Sequence, residues 1–280
     1  TVRGIPQEVQ LGRGEGVRGH SVANLDNVHV VAKERLGELL GVLSPARRRI
    51  MIFVGDYIDR GPQSRELIDR LLNGFAGFEM ICLKGNHDDT LLQFLTDPTI
   101  GDAWRSFGGL ETLRSYGITH AEGKNWSQTR SEFAAALPRE HLEFLKNLKL
   151  HVTVGDYLFV HAGLKPRVPL EEQSETDLLW IREEFLDSTV NFGRIVVHGH
   201  TPTDAPVVRR NRIGIDTGAY ITNNLTAARR RQARRGVDLR PEILDEIQSS
   251  VHIADGDHEM ARRHACAAGT VFAAFRFAEE

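Results

Sequence analysis

Four short apolar runs along the chain each stop at a small polar cluster. Ile50-Met51-Ile52-Phe53-Val54 runs into Gly55-Asp56-Tyr57-Ile58-Asp59-Arg60-Gly61, and Met80-Ile81-Cys82-Leu83 runs into Gly85-Asn86-His87-Asp88. Tyr157-Leu158-Phe159-Val160 ends at His161-Ala162-Gly163, and Ile195-Val196-Val197 ends at His198-Gly199-His200-Thr201. Runs of this length and β-branched character predict buried strands. Each delivers Asp, Asn or His at its C-terminal end, where open α/β sheets collect their ligands. Glycine beside the polar residue allows a sharp turn and a close approach.

Helical periods fill the intervals. Val31, Leu36, Leu39, Leu40 and Leu43 share one face of a helix closed by Ser44-Pro45. Leu67, Ile68, Leu71 and Leu72 predict a second helix, with Ser64 as N-cap and an end near Gly74. Strand, helix and strand then form a β-α-β unit. Asp89 to Leu148 reads as mostly helical with a break at Gly108-Gly109, either a cap over the strand ends or outer packing. His151–Val154 and Tyr157–Val160 predict a hairpin around Gly155-Asp156, and Leu178 to Leu186 one amphipathic helix carrying Trp180 and Arg182. Val207–Val208 and Ile213–Ile215 predict a strand pair before Asp216-Thr217-Gly218. The expected organisation is an irregular segment over 1–26, a main domain over 27–226 and a C-terminal extension over 227–280. In that extension Arg229 to Arg235 reads as a solvated basic face. The scattered His252, Asp255, Asp257, His258 and His264 read as surface.

Composition narrows the class. Of 280 residues, 41% are hydrophobic, enough for a substantial core, and 26% are charged, as in ordinary soluble domains. A net charge of −3 argues against a general nucleic-acid binder. Two cysteines, Cys82 and Cys266, support no disulfide framework, and Cys82 in a core strand reads as a small buried hydrophobe. No apolar run reaches membrane-spanning length and no secretory pattern is visible, so no membrane partner and a cytoplasmic location are expected.

Asp, Asn and His at converging strand ends are oxygen and imidazole donors suited to manganese, iron or zinc. Asp56, Asp59 and Arg60 together suit a metal and an anion. In their order these four motifs resemble the signatures of calcineurin-like metallophosphoesterases, and within them the bacterial and phage serine/threonine protein phosphatases. The likeness covers Val30 to Thr226. It implies an α/β fold with a central β-sandwich flanked by helices in four layers. It also implies two divalent metal ions, manganese first, with iron or zinc as alternatives. Asp56 would bridge the metals, and Asn86, His161 and His200 would complete one of them. Water activated between the metals would attack phosphorus. Arg60 would grip phosphate oxygens, with Arg182 as a second clamp. His87 would protonate the leaving group, oriented by Asp59. The implied substrate is phosphoserine or phosphothreonine on a phosphoprotein, or a small phosphoester. The alternatives are a dinucleoside polyphosphate hydrolase of the same superfamily and an impaired phosphate-binding relative.

One departure stands out. The family's first signature, Gly-Asp-x-His-Gly, is absent, and Asp26-Asn27-Val28-His29-Val30 stands at about its place. His29 occupies the position of the metal-binding His, while neutral Asn27 replaces a carboxylate, which weakens a divalent site. Of the remaining candidates, Asp88 reads as the N-cap of the following helix and His198 as a structural or supporting residue. Asp216 either supports the site or caps a turn.

Overall fold

A computed structural model of the chain describes residues 49–120, 125–222, 225–230, 246–249 and 272–276. The helix expected over Val30 to Leu43, the Asp26 to Val30 stretch with His29, Arg231 to Arg235, and the His252 to His264 scatter lie outside the described residues.

Two five-stranded sheets carry the fold. In the first, β1 (Arg49–Phe53) and β2 (Glu79–Cys82) are parallel, joined by α1 (Ser64–Leu72). This is the β-α-β unit the pattern predicts. Strand β10 (Phe272–Arg276) pairs antiparallel with β1. Strand β8 (Thr226–Arg230) lies parallel to β10, and β9 (Glu246–Ser249) pairs antiparallel with β8. The sheet therefore continues across position 226. In the second sheet β3 (His151–Val154) and β4 (Tyr157–Val160) form the expected hairpin. Strands β4, β5 (Ile195–His198) and β7 (Arg212–Gly214) run parallel, so their C-terminal ends share one edge. Strand β6 (Val207–Val208) closes the order.

Alternation along each strand sorts side chains between layers. Ile50, Ile52 and Val54 pack with Tyr157, Phe159, Ile195, Val197, Ile213 and Ile215 in the core between the sheets. Met51 and Phe53 face the other way, onto the Leu67, Ile68 and Leu71 stripe of α1 and the helices beyond. Leu158, Val160 and Val196 point outward from the second sheet against Leu164, Leu178 and Phe185. The result is helices, sheet, sheet, helices: the four-layer architecture expected.

The segment after β2 folds as α2 (Asn86–Thr96), α3 (Gly101–Ser106), α4 (Gly109–Ser115), α5 (Trp126–Ala136) and α6 (Arg139–Lys146). Fully buried Trp104 anchors it, its ring 4.6 Å from Phe94 and 5.9 Å from Phe133. Buried His141 ties it to α1, bonding Tyr116 Oη at 2.8 Å and Asp69 Oδ1 at 2.9 Å.

Three local expectations are corrected. Ser64 is the first residue of α1 rather than its N-cap, which is Gln63; the Ser64 hydroxyl lies 3.3 Å from Thr112 Oγ1 instead. The Leu178 to Leu186 helix is two helices, α7 (Glu175–Trp180) and α8 (Glu183–Leu186). The break falls at Ile181 (ψ 142°) and Arg182 (φ −130°, ψ −105°), which buries Ile181 in the outer core and leaves Arg182 exposed. Asp88 is not the N-cap of α2 but its third residue, after the N-cap Gly85, and its carboxylate accepts from Gly85 N as the far half of a capping box. Among the described residues no helix is long and apolar enough to cross a membrane.

Candidate functional site

The β1 and β2 ends are pressed together. A β-carbon on Gly55 (φ +107°) would lie 2.6 Å from Gly85 N and 2.7 Å from His161 Nδ1; one on Gly85 would lie 2.1 Å from Asp56 Oδ1. Only residues without side chains let these two turns meet. Asp88 locks them: Oδ2 accepts from Gly85 N (2.8 Å) and Asp56 N (3.0 Å), and Oδ1 from Tyr57 N (3.0 Å). Burial and the neighbouring Asp56 push the Asp88 carboxyl upward, against these three donors and the N-terminus of α2. The β4 and β5 ends are joined by Gly199 N donating to His161 O at 2.8 Å.

Donor atoms from all four ends then converge. His161 Nε2 is 2.8 Å from Asn86 Oδ1 and 3.2 Å from His200 Nδ1, and His200 Nδ1 is 2.9 Å from Asn86 Oδ1. Asp56 Oδ1 lies 3.5 Å from His161 Nε2. Among the described residues His, Cys, Asp and Glu alone form no metal-sized group; the amide oxygen of Asn86 closes the cluster.

The chemistry of these donors tests whether a cation fits. His161 Nδ1 lies 2.7 Å from the carbonyl of Val54, which can only accept, so it carries the proton and leaves Nε2 a lone pair. That lone pair faces the Asn86 oxygen, itself an acceptor. Burial is the largest cause for each ring: it lowers the pKa of His161 and takes that of His200 down to about 2. Both rings are therefore neutral, the form that ligates. Nε2 of His200 is buried without a hydrogen-bond partner. A carboxylate, an amide oxygen and two neutral imidazoles gathered at one point fit a divalent cation of borderline hardness. His161→Ala is expected to weaken manganese binding at least about tenfold, as loss of a direct ligand should exceed the roughly 10–100-fold cost of losing ligand support; calorimetric titration of metal-stripped protein measures it.

Beside this cluster stands an acid–base pair. Nδ1 of His87 lies 2.7 Å from Oδ2 of fully buried Asp59. Burial would lower the His87 imidazole, but Asp56 and Asp59 carry it upward overall. Burial raises the Asp59 carboxyl, and hydrogen bonds from His87, Thr112 and Trp104 only partly oppose this. For Asp56, the effect of burial is outweighed by His161, His87 and His200, and its pKa is lowered.

Arg60 and Arg182 border the same cluster. Arg60 N donates to Gly108 O at 3.1 Å, and its guanidinium lies 4.1 Å over the ring of Tyr220, in the one-turn helix α9 (Ala219–Thr222). Arg182 Nη1 donates to Thr201 Oγ1 at 3.2 Å, one residue after His200. Of the five non-glycine residues with positive φ among those described, four are Asp56 (61°), Asp59 (72°), Arg60 (64°) and His200 (66°). Backbone strain is thus concentrated where chemistry is expected.

The structure brings together Asp56, Asn86, His161 and His200, with Asp59, His87, Arg60 and Arg182 around them. His29 lies outside the described residues. Buried His198 points away from the cluster, its Nδ1 3.1 Å from Gly199 O and its Nε2 3.3 Å from Arg212 Nη1; burial takes its pKa down to about 3. Asp216 Oδ1 accepts from Gly218 N at 2.8 Å, so it closes a turn. Sequence reasoning missed Thr112 and Trp104, both bonded to Asp59, and the Val54 carbonyl that fixes His161. None carries a sequence signal distinguishing it from ordinary core or strand residues.

The profile of the calcineurin-like phosphoesterase family matches residues 28–240. The asymmetrical bis(5'-nucleosyl)-tetraphosphatase PrpE of Anoxybacillus flavithermus is 26% identical over 198 residues, 65% of this chain and 75% of that protein. PrpE of Bacillus subtilis is 26% identical over the same shares, and PrpE of Oceanobacillus iheyensis 28% identical over 68% of this chain and 77% of its own. With the family profile spanning most of its length, the chain belongs to the calcineurin-like phosphoesterases.

Proposed function

We propose that this protein is a metal-dependent hydrolase of dinucleoside tetraphosphates, cleaving them asymmetrically to a nucleoside triphosphate and a nucleoside monophosphate. The observation that carries the hydrolase reading is the convergence of Asn86 Oδ1, His161 Nε2 and His200 Nδ1 within 3.2 Å of one another, beside the His87–Asp59 pair. The substrate class is supported by the tetraphosphatase activity for which the PrpE relatives are named. It is also supported by a rim of half-buried aromatic rings: Phe107 lies 6.1 Å from His87 and 5.9 Å from Trp180, which lies 6.1 Å from His200. Such rings can stack on a base.

In this reading Asp56, Asn86, His161 and His200 hold divalent cations, manganese first. When bound, such cations supply positive charge that polarises phosphoryl oxygens and makes water nucleophilic near neutral pH. The chain does the rest. The mixed oxygen and nitrogen donors keep the site open to manganese, iron or zinc. Arg60 and Arg182 bind and orient the polyphosphate, and the fork of each guanidinium matches two phosphate oxygens. His87, with Nδ1 committed to Asp59, presents Nε2 to the leaving oxygen and gives up its proton as the P–O bond breaks.

That pair also favours a second reading, the serine/threonine phosphatase, because an alkoxide leaving group needs a proton more than a phosphate does. One experiment separates them. Protein loaded with manganese is offered diadenosine tetraphosphate and a phosphoserine peptide, and products are resolved by ion-exchange chromatography. Equimolar ATP and AMP, with a kcat/KM at least about tenfold above that for the peptide, are expected. Faster peptide dephosphorylation with intact dinucleotide would install the protein phosphatase reading instead. The reaction reads as occurring on a soluble phosphoester in the cytoplasm, without membrane or nucleic acid.

A further inference from the structure

The Asp59 carboxylate is held by more than His87. Thr112 Oγ1 donates to Asp59 Oδ1 at 2.7 Å, and Trp104 Nε1 lies 3.1 Å from both Asp59 oxygens. The same Thr112 oxygen accepts from Asp59 N at 2.8 Å, so one hydroxyl fixes both backbone and side chain of this residue. Asp59 sits at φ 72°, in the left-handed region, which aspartate tolerates better than most side chains but still at a cost. Both donors come from the helical segment: Trp104 from α3 and Thr112 from α4. Both are fully buried. A third contact follows the same path, Gly108 O accepting from Arg60 N at 3.1 Å.

We propose that Thr112 and Trp104 are positioning residues for proton donation, so that the helical segment sets the acid rather than only covering the site. With Thr112 on Oδ1 and His87 on Oδ2, the carboxylate plane has one orientation. That orientation aims the His87 ring so that Nε2 faces the leaving oxygen. The step itself balances simply. Water oxygen bonds to phosphorus and releases one proton to solvent, the bond to the leaving oxygen breaks with its electron pair, and the Nε2 proton of His87 goes to that oxygen, to be replaced from solvent. This inference rests on the acid role given to His87 above.

The test compares manganese-loaded parent, Thr112→Val, Trp104→Phe, Thr112→Ser and His87→Asn on two esters. Phenyl phosphate needs a proton on its leaving oxygen; 2,4-dinitrophenyl phosphate does not. His87→Asn is expected to lose about 10²-fold or more on phenyl phosphate and far less on the dinitrophenyl ester, the size of a general-acid contribution. Thr112→Val and Trp104→Phe should show the same selectivity at roughly tenfold, with Thr112→Ser restoring the parent pattern by returning the hydroxyl. A second readout needs no turnover. The proton NMR signal of His87 Nδ1–H in metal-stripped protein should be present in the parent, absent in His87→Asn, and broadened by exchange in Thr112→Val. Equal losses on both esters in Thr112→Val and Trp104→Phe, or parent-like rates in both, would overturn the inference while a selective His87→Asn leaves the acid role standing. Unselective loss in His87→Asn would remove both.

Discussion

Gly85→Ala is expected to abolish most activity while leaving a folded protein. The backbone of Gly85 (φ −97°, ψ 168°) is open to any residue, so the effect is one of space alone. The new methyl would stand 2.1 Å from Asp56 Oδ1 and 2.4 Å from Asp56 N, and neither atom has room to retreat. Asp56 N is bonded to Asp88, and Asp56 Oδ1 accepts from His87 N at 3.2 Å. The β1 and β2 ends must part, carrying Asp56 away from Asn86 and His161. A displacement of that kind costs about 10²-fold or more in rate, and overpacking costs about 1–3 kcal/mol in stability. Gly117→Ala is the control: at φ +87° it strains the backbone, but its side chain would meet open space. Kinetics and thermal melts of both variants should show stability loss in each and activity loss only in Gly85→Ala.

The second large effect is expected from Asp88→Asn. The carboxylate accepts three backbone N–H groups, from Gly85, Asp56 and Tyr57, across two different turns. An amide would turn an NH2 toward at least one of those donors and leave it unsatisfied in a fully buried place. The cost should be about 3 kcal/mol, the upper end for a buried N–H left without an acceptor. In a chain of this size that lowers the melting midpoint by about 10 °C. Denaturant melts of metal-stripped protein measure it without interference from bound cations. A variant as stable as the parent would mean the carboxylate carries no weight in joining the turns.

Much of the site could be read from the chain because its parts are local. Each apolar strand names its own terminal residue, so Asp56, Asn86, His161 and His200 announce themselves without any knowledge of what faces them. Parity does the rest: in β1, Ile50 and Ile52 go to one core and Met51 and Phe53 to another. What stayed hidden depends on contacts across the fold. Asp88 looks like a cap because aspartate beside a helix start usually is one. Its true partners include Asp56 and Tyr57, more than thirty residues back. Thr112 and Trp104 sit in a helical period that says nothing of Asp59. Strand β8 reads Thr-Ala-Ala-Arg-Arg, which has no apolar alternation to betray a sheet position beside β10. Motif order identifies the family of this chain; it does not by itself choose between nucleotide and phosphoprotein.

The left-handed backbone at Arg60 carries a further implication. A side chain held there costs about 1–2 kcal/mol that glycine would not, and Arg60 keeps it between Gly108 and the Tyr220 ring. Selection for heat tolerance alone would thus drift toward glycine at this position, and each such gain would strip a cation from the mouth of the pocket. With Arg60 gripping phosphate as proposed, durability and turnover would pull this one residue in opposite directions, and a screen for folded yield alone would favour variants with weaker turnover.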